Sequence, residues 1–390
     1  MWQNSDLSLF NLSFTEESIF LIVLVLLWST LFVKARRTTQ ALQALSGQVD
    51  NELAIDSSVS VIIPARNEAE IIERSTLAAL AQGPLLESLI VVDDDSEDDT
   101  AEILSGISQE HQNLTVLRGH VLEPGDCGKP SALAWAYDQT PITDEWVLFL
   151  DADVILAPDT LEYLIRWAQT NECDVVSGYP EQKLGSVLEK IVMPSVMAFI
   201  GANYPFQKVM DTNDELAFAN GQIILVRREK YEEIGGHKAV KNEVLEDVAM
   251  AQLLKKAGAR LGLLDLRGLA ETRMYSSHEE LLEGWSKNLF LLLNRKISKT
   301  ILLSILTPLL GSSGLIAIIG LTLPFGLAAL VFVTIIQMLI RSFIRVPVIW
   351  GLFSSLGSVY LSFLLLRSLF LHTVANQVPW KGRNYHGSAH

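Results

Sequence analysis

One stretch of 41 consecutive uncharged residues, between Lys299 and Arg341, constrains the fold more than any other feature of the sequence. Because one membrane-spanning helix needs roughly 20 apolar residues, the stretch predicts two helices, with a turn at Pro324 near its midpoint. A second uncharged stretch, from Val346 to Leu366, predicts a third helix, and Arg341 and Arg345 indicate that it begins on the cytoplasmic side. The carboxyl-terminal part of the chain therefore belongs in a membrane.

The amino-terminal segment predicts a further span. Residues Ser18 to Val33 are uncharged, Glu17 precedes them, and Lys34, Arg36 and Arg37 follow them. A cleaved signal peptide carries its positive charge before the apolar run, so this order of charges indicates an uncleaved anchor. The positive-inside rule then predicts that the amino terminus lies outside and the next domain lies in the cytoplasm. This describes an integral, multi-pass protein of the cell inner membrane.

The closing segment conflicts with that count of spans. Three spans after a cytoplasmic domain put the carboxyl terminus outside, whereas Trp380, Lys381 and Arg383 are typical of a cytoplasmic interfacial anchor. One of the three carboxyl-terminal segments is therefore a candidate for a re-entrant or interfacial helix. The predicted parts are an anchor, a globular domain, a group of membrane helices and a short basic tail, at residues 1–38, 55–290, 300–372 and 373–390.

The composition supports a globular domain between membrane segments and excludes one class of partner. A hydrophobic content of 49% and a mean hydropathy of +0.29 are high for a purely soluble protein. The net charge is −15 and basic residues cluster only beside the spans, which argues against a nucleic-acid partner. Cys127 and Cys173 fall in the predicted cytoplasmic part, where they are expected to be packing residues rather than a disulfide.

The middle of the chain has the pattern of a mostly parallel sheet covered by helices. Short apolar runs alternate with amphipathic stretches between about residues 59 and 273. Three of the runs end at a polar loop that leads into a helix: Val59–Ile63 at Pro64, Leu89–Val92 at Asp93, and Trp146–Leu150 at Asp151. Ligands of open α/β sheets bind outside the carboxyl ends of the strands. The polar clusters are therefore expected to converge on one site.

Asp151 and Asp153 are candidate metal ligands. They flank one residue directly after an apolar strand, so both carboxylates can project from one loop toward a cation. Oxygen ligands of this kind suit Mg²⁺ or Mn²⁺, which would neutralise a diphosphate leaving group. There are two alternatives to a metal site at Asp151 and Asp153. The first is an ordinary loop, because Asp-x-Asp is a common loop tripeptide. The second is the nucleophile of a haloacid-dehalogenase-type phosphatase, but that nucleophile lies on the first strand of its domain, whereas two strand–helix units precede Asp151.

Two other clusters are candidates for binding a nucleotide. Asp93, Asp94 and Asp95 follow a buried strand, where a carboxylate can accept the N3 proton of a uracil ring; a solvated acidic turn is the alternative. Lys129, in the segment Gly128–Leu133, precedes a predicted helix. Its charge and the free backbone donors of the helix start can both reach a phosphate.

Further along the chain, Glu246 and Asp247 open an amphipathic segment. The helix dipole alone favours acidic residues there, and the functional alternative is that Asp247 is a general base. Gly235–Gly236 fits either a flexible loop over a substrate or an ordinary turn. Lys287 precedes the first apolar run, so that anchoring at the membrane surface and binding of a donor are both open.

Together these pieces resemble the family 2 glycosyltransferases of the GT-A fold. The motifs, collinear from Val59 to Asp247, are VSVIIPARNE at Val59–Glu68, VVDDDSEDDT at Val91–Thr100, GKPSAL at Gly128–Leu133, LDAD at Leu150–Asp153, NGQIILVRR at Asn220–Arg228 with Gly235–Gly236, and LED at Leu245–Asp247. The single helix before the domain, the group after it and the closing segment Trp380–Tyr385 are similar to the branch of hopanoid-associated and carotenoid-type glycosyltransferases.

The resemblance implies an α/β domain with the Rossmann-like, nucleotide-diphospho-sugar transferase (GT-A) fold at 55–290, flanked by amino- and carboxyl-terminal transmembrane helices. It implies a nucleotide-sugar donor, a lipid-like acceptor and inversion at the anomeric carbon, with Asp247 as the catalytic base. Asp151 and Asp153 would bind Mg²⁺ or Mn²⁺, and Gly221 and Glu246 would lie near the acceptor or the diphosphate. The residues implied in donor binding are Pro64, Glu68, Asp93, Asp94, Lys129, Asp151 and Lys287.

One departure from the wider family bears on the product. The Q-x-x-R-W motif of cellulose- and hyaluronan-type synthases is not present, and Gly284–Asn288 stands in its expected place. We therefore expect a single addition from a UDP- or GDP-sugar to an amphiphilic acceptor such as a carotenoid, a hopanoid or a diacylglycerol. The alternatives are a processive polysaccharide synthase and a non-catalytic membrane scaffold. Placing the three carboxylates of Asp151, Asp153 and Asp247 in one cleft costs folding free energy, and a protein without catalytic activity would have no reason to keep them; this argues against the scaffold.

Overall fold

The computed structural model describes residues 13–119, 121–380 and 382–385. The predictions for residues 1–12, Lys381 and residues 386–390 lie outside this range. The described chain forms two compact units. The sheet unit comprises Leu42–Lys183 and Tyr204–Tyr275, and the helical unit comprises residues 13–41, Leu184–Asn203 and the chain from Ser276 onward.

The strands are β1 (Val59–Ala65), β2 (Leu86–Asp93), β3 (Leu114–Arg118), β4 (Trp146–Leu150), β5 (Val154–Leu156), β6 (Val175–Tyr179), β7 (Glu181–Gln182), β8 (Ile223–Arg227), β9 (Leu261–Asp265), β10 (Ala270–Thr272), β11 (Val378–Trp380) and β12 (Arg383–Tyr385). The α-helices are α1 (Phe14–Ser46), α2 (Ile72–Leu80), α3 (Thr100–Glu110), α4 (Gly128–Gln139), α5 (Thr160–Thr170), α6 (Val187–Asn203), α7 (Phe206–Met210), α8 (Arg228–Glu233), α9 (Glu246–Lys256), α10 (His278–Leu292), α11 (Ile297–Gly311), α12 (Ser313–Gly320), α13 (Leu323–Phe343) and α14 (Ser354–Phe370).

The sheet unit is built on a seven-stranded sheet with the order β3–β2–β1–β4–β8–β6–β9. Strand β1 pairs in parallel with β2 and β4, β2 with β3, and β6 with β9, whereas β8 runs antiparallel to both of its neighbours. The prediction of a mostly parallel sheet is confirmed, with β8 as the exception. Strands covered on both faces need near-continuous apolar runs, and Val61, Leu148 and Leu225 are buried accordingly.

A second, three-stranded sheet with the order β5–β10–β7 lies beside the end of β4. Strand β10 is antiparallel to β5 and parallel to β7. Because β5 begins at Val154, directly after the Asp151–Asp153 loop, this small sheet fixes where that loop ends. The two cysteines of the unit, Cys127 and Cys173, are buried and are not joined in a disulfide.

The first helix extends beyond the predicted anchor, which ended at residue 38, and continues to Ser46. Its last turn belongs to the sheet unit, where the Trp167 indole donates to the carbonyl of Leu45 at 3.0 Å and the Ser46 hydroxyl accepts from the Asp265 amide at 2.9 Å. Good helix formers and these contacts together account for the extra turns.

Within the described residues, three helical segments are long and apolar enough to cross a membrane: α1, α13 and the continuous segment Val348–Ala375. Helices α11 and α12 meet the same criterion only as a pair, and the pair is bent by 64°. The stretch predicted as two helices thus contains three, and α13 begins one residue before Pro324. A pair bent in this way fits either a broken span or a re-entrant loop, so the re-entrant or interfacial segment stays a prediction.

The break between α12 and α13 is held by Glu17 of α1. Its carboxylate is buried and accepts hydrogen bonds from the amide and the hydroxyl of Thr322, at 2.6 and 2.7 Å. Thr322 is the residue before α13, so Glu17 satisfies a donor at that helix start, where the helix dipole favours negative charge.

Helix α6 belongs to the helical unit although it lies between β7 and β8 in sequence. Its Pro194 has no N–H, so the carbonyl of Lys190 loses its usual partner within the helix. The buried guanidinium of Arg341 donates to that carbonyl at 2.8 Å, and also to the Ser354 hydroxyl at 3.2 Å. The charge of Arg341, on a helix apolar enough to span a membrane, is thus paired with the carbonyl that lacks a partner because of Pro194.

Candidate functional site

The acidic cluster after β2 is anchored through its backbone. Asp93 is the register partner of Ala65 at the end of β1, and the Asp94 amide donates to the Ala65 carbonyl at 2.8 Å. The Arg66 guanidinium donates to the carbonyls of Asp94 and Asp95, at 2.7 and 3.0 Å. Asp93 and Asp94 are buried, whereas Asp95 is exposed. The turn is therefore a fixed part of the strand edge rather than the solvated acidic turn of the alternative prediction.

Lys129 is the second residue of α4, whereas the sequence predicted that it precedes the helix. Its ammonium contacts Asp151 Oδ1 at 2.6 Å and Glu246 Oε1 at 2.9 Å, and donates to the Gly221 carbonyl at 3.1 Å. Burial opposes the charge, but Asp151, Glu246 and Asp247 outweigh it and hold the pKa of Lys129 well above its usual range. Lys129 is a permanent cation that joins three separate segments of the chain.

Asp247, the second residue of α9, is held by two backbone donors. Its Oδ2 accepts from the Gly221 amide and its Oδ1 from the Val248 amide, both at 2.8 Å. Burial, and then the adjacent Glu246 carboxylate, raise the pKa of Asp247 to about 6, although Lys129 and the backbone donors act in the opposite direction. A carboxylate with this pKa is ionised near neutrality and is still basic enough to accept a proton.

Gly221 is the meeting point of these groups. Its amide donates to Asp247 and its carbonyl accepts from Lys129. A Cβ atom on Gly221 would lie 2.9 Å from Asp247 Oδ2 and 3.1 Å from Lys129 Nζ. Only a residue without a side chain lets both groups reach the backbone here.

The Asp151–Asp153 loop is held from two sides. The Asp151 amide donates to the carbonyl of Gln222 at 3.0 Å, and Asp153 Oδ2 accepts from the Thr272 hydroxyl at 3.0 Å. Among the residues that the structure describes, no group of three or more His, Cys, Asp or Glu side chains could hold a metal ion by itself. Two carboxylates do match Mg²⁺, which usually takes one or two from the protein and completes its shell with phosphates and water.

Several residues at the site were not found by sequence reasoning. Buried Tyr204 lies 4.8 Å, between ring centroids, from Phe218, and burial together with Asp247 raises its pKa to about 12. Burial lowers the pKa of His237 to about 3, against the effect of Glu246, and its Nδ1 lies 2.9 Å from the Tyr231 hydroxyl. Buried, single aromatic residues resemble core residues in a sequence, so no local pattern singled them out.

The comparisons with known proteins identify the domain that carries this site. Residues 60–235 match the family described as Glycosyl transferase family 2. These residues form a family 2 glycosyltransferase domain. The solved structure of the mannosyltransferase PcManGT from Pyrobaculum calidifontis, in complex with GDP-Man and Mn²⁺, is similar with a TM-score of 0.51, 17% identity and coverage of 90% of this chain and 98% of that one. That likeness shows the fold, which is the predicted GT-A α/β fold.

Two curated relatives of the glycosyltransferase domain have names that specify a substrate. The 4,4'-diaponeurosporenoate glycosyltransferase of Staphylococcus haemolyticus is 27% identical over 236 residues, 60% of this chain and 61% of that protein. The undecaprenyl-phosphate 4-deoxy-4-formamido-L-arabinose transferase of Photorhabdus laumondii is 32% identical over 146 residues, 36% of this chain and 43% of that protein. The chain thus spans about three-fifths or less of the length of these relatives.

The structure brings five of the predicted site residues of the sheet unit into direct contact. They are Lys129, Asp151, Gly221, Glu246 and Asp247. The other predicted residues of this unit lie in β1 and β2 or in the loops that follow β1, β2 and β4: Pro64, Glu68, Asp93, Asp94 and Asp153.

Pro64 lies inside β1, opposite Val92. The amide of Glu68 donates to the Thr100 hydroxyl at 2.9 Å, in the loop before α2. Lys287 is on α10 in the helical unit, and its role toward a donor stays a prediction. Gly235 and Gly236 form a left-handed turn at φ 81° and 57°.

Proposed function

We propose that this chain transfers one sugar from a UDP- or GDP-sugar to a lipid-like acceptor at the cytoplasmic membrane face, with inversion at the anomeric carbon. The observation that carries the proposal is the contact of Asp247 with Gly221 and of Gly221 with Lys129, the latter two within the residues that match the family 2 glycosyltransferases. The relatives named for diaponeurosporenoate and undecaprenyl phosphate support an acceptor with a long hydrocarbon part. Helices apolar enough to span a membrane in the same chain support an acceptor that stays in the bilayer.

Asp247 is the proposed general base. Its carboxylate takes the proton of an acceptor hydroxyl while that oxygen attacks the anomeric carbon of the sugar. The bond from this carbon to the diphosphate oxygen breaks, and the nucleoside diphosphate leaves with the electron pair. The two backbone donors, from Gly221 and Val248, fix the carboxylate so that little reorganisation is needed in the transition state.

A divalent cation is proposed on grounds of charge. Three carboxyl groups, from Asp151, Glu246 and Asp247, surround the ammonium of Lys129, and Asp153 lies two residues after Asp151 in the same loop. A donor diphosphate adds more negative charge, and like charges at contact distance oppose binding. Asp151 and Asp153 would hold Mg²⁺ or Mn²⁺, which when bound supplies positive charge to the leaving diphosphate.

The donor is proposed to lie along the edge formed by β1, β2 and β4. Asp93 and Asp94 would orient its base, with Pro64 and Glu68 beside them. Lys129 would contact the diphosphate, and Glu246 would lie beside the acceptor or the diphosphate. Lys287 stays a proposed donor-binding residue.

The cytoplasmic orientation and the single addition rest on the sequence. Lys34, Arg36 and Arg37 follow the apolar part of α1, which favours a cytoplasmic sheet unit. Gly284–Asn288 replaces the motif of the processive synthases. We therefore propose one transfer per acceptor rather than a polymer.

The test is transfer of labelled sugar by the full chain in detergent. The protein is incubated with radiolabelled UDP- and GDP-sugars, extracted membrane lipids and Mn²⁺ or Mg²⁺, then extracted with organic solvent and resolved by thin-layer chromatography. The expected result is one discrete labelled lipid, lost in Asp247→Asn and on chelation. Loss of the general base should lower the rate of transfer by a factor of roughly 10² to 10⁴.

The matched control is Asp138→Asn, which makes the same chemical change at an exposed ion pair with Lys238. Surface pairs contribute little to stability, so this variant should transfer normally. Label in a water-soluble polymer would indicate a processive synthase. No label in any fraction, or full transfer by Asp247→Asn, would refute the proposal.

A further inference from the structure

The residue that holds Asp153 comes from a distant strand. Thr272 ends β10, in the middle of the small sheet, and its register partners are Val154 on β5 and Gln182 on β7. Val154 directly follows Asp153, so backbone pairing places the Thr272 side chain beside that carboxylate. Thr272 is 1% exposed, and its carbonyl accepts from the Lys183 amide at 2.8 Å. The strand has little freedom to move.

The hydroxyl of Thr272 donates to Asp153 Oδ2 at 3.0 Å. Threonine has a restricted χ1, so a threonine on a paired strand presents its hydroxyl in a defined direction. A buried hydroxyl without a partner would be costly, and here the partner is a carboxylate, with which a hydrogen bond is stronger than with a neutral acceptor. The contact therefore orients Asp153 as well as satisfying Thr272.

We infer that Thr272 is a positioning residue, which fixes the Asp153 carboxylate in the orientation that binds the divalent cation of the donor diphosphate. The inference rests on the proposed function, in which Asp153 is a cation ligand. Hydrogen-bond partners of metal ligands typically contribute 10- to 100-fold to metal affinity, because they fix the ligand orientation before the metal arrives. Thr272 touches neither substrate nor cation in this role.

The chain offers variants that separate this role from general packing. Thr272→Val keeps the shape and removes the hydroxyl, and Thr272→Ser keeps the hydroxyl. The control is Thr76→Val on α2, because Thr76 is fully buried and its hydroxyl has no hydrogen-bond partner within the described part of the chain. Both valine variants exchange one buried hydroxyl for a methyl group, and only one of them alters Asp153.

The experiment measures Mn²⁺ binding to the full chain in detergent, in the presence of UDP or of GDP, by the loss of the free Mn²⁺ signal in electron paramagnetic resonance. We expect Thr272→Val to raise the Kd for Mn²⁺ at least about tenfold, with Thr272→Ser and Thr76→Val near the wild type. In turnover assays, Thr272→Val should need more Mn²⁺ for half-maximal rate while approaching the wild-type kcat at saturating Mn²⁺. Thermal unfolding without Mn²⁺ checks that each variant is folded.

Two failures can be told apart. If the wild type binds Mn²⁺ and Thr272→Val binds it equally well, the positioning role is wrong while the proposed cation site stands. If the wild type binds no Mn²⁺ with either nucleotide, the proposed cation role of Asp153 is itself refuted, and the inference falls with it. A Thr272→Ser variant as weak as Thr272→Val would also overturn the inference, because the hydroxyl would then not be the group that matters.

Discussion

Replacement of Gly221 by alanine tests whether the geometry around Asp247 limits the rate. The backbone of Gly221 is not in the left-handed region, so alanine brings no strain of that kind. The added Cβ would lie 2.9 Å from Asp247 Oδ2, 3.2 Å from Asp247 Cβ and 3.1 Å from Lys129 Nζ. A carbon atom and a heavy atom that is not bonded to it normally stay about 3.5 Å apart or more. The Asp247 carboxylate therefore has to move by roughly half an ångström.

The displacement falls on the proposed base, Asp247, and on Lys129, and hardly on the core. A misplacement of about 1 Å in an active site can cost 10²-fold in rate, so we expect Gly221→Ala to lower kcat about 10- to 100-fold, equivalent to roughly 1.4–2.8 kcal/mol. The hydrogen bond from the Gly221 amide to Asp247 also lengthens, so the acid limb of the pH profile should move upward. Stability should change little, because Gly221 is only half-buried.

The assay is transfer to the labelled lipid, with initial rates measured against donor concentration. Gly106→Ala is the matched control: Gly106 lies in α3, and a Cβ there meets no atom within 4 Å. That change should leave kcat unaltered and stabilise α3 by about 0.5–1 kcal/mol. If Gly221→Ala transfers sugar as fast as the wild type, the close packing of Gly221 against Asp247 and Lys129 does not limit catalysis, and the reasoning is wrong.

Three further predictions follow from the charges. Because Asp247, as the proposed base, would act only when ionised and its pKa is raised to about 6, kcat/KM should fall about tenfold per pH unit below that pH and level off above it; a flat profile between about pH 5 and 7 would contradict the assignment. Glu246→Gln removes a carboxylate that raises the pKa of Asp247, so the same rate measurements should place the acid limb at lower pH. Arg341→Met leaves the Lys190 carbonyl without its donor and should destabilise the helical unit by about 1–3 kcal/mol in detergent unfolding. Pro194→Ala restores a backbone N–H and should recover part of that loss, whereas strictly additive costs in the double variant would refute the pairing.

The strand ends could be predicted because their cause is local. An apolar run that stops at a polar loop needs no distant partner to be recognised: β4 ends at the predicted residue, β2 one residue beyond it and β1 two residues beyond it. The carboxyl ends of parallel strands share one edge, which is why Asp93 and Asp151 could be expected near each other. The antiparallel direction of β8 depends on the long connection through α6 and α7, and no pattern within Ile223–Arg227 distinguishes it from a parallel strand.

The supporting contacts of the site could not be predicted, because they join residues far apart in the chain. Lys129 contacts Glu246, and Thr272 contacts Asp153 across 119 positions. Arg341 is a similar case. A charge beside an apolar run indicates a membrane boundary, and the sequence therefore predicts that Arg341 lies at the cytoplasmic end of a span. The structure instead buries it against a carbonyl that Pro194 released, which only the packing of α6 reveals.

The contacts of Lys129 link the motifs that contain Asp151, Gly221 and Glu246. Lys129 already contacts Asp151, Glu246 and the Gly221 carbonyl, so it cannot neutralise an incoming diphosphate while it keeps all three contacts. A donor that enters this edge therefore has to bring positive charge with it or release a carboxylate from Lys129. The first route favours a donor–cation complex that binds as one unit. The second would free Lys129 from Asp151 or from Glu246, so that its ammonium could contact the diphosphate. The two routes act together if a cation held by Asp151 and Asp153 takes the place of Lys129 beside Asp151.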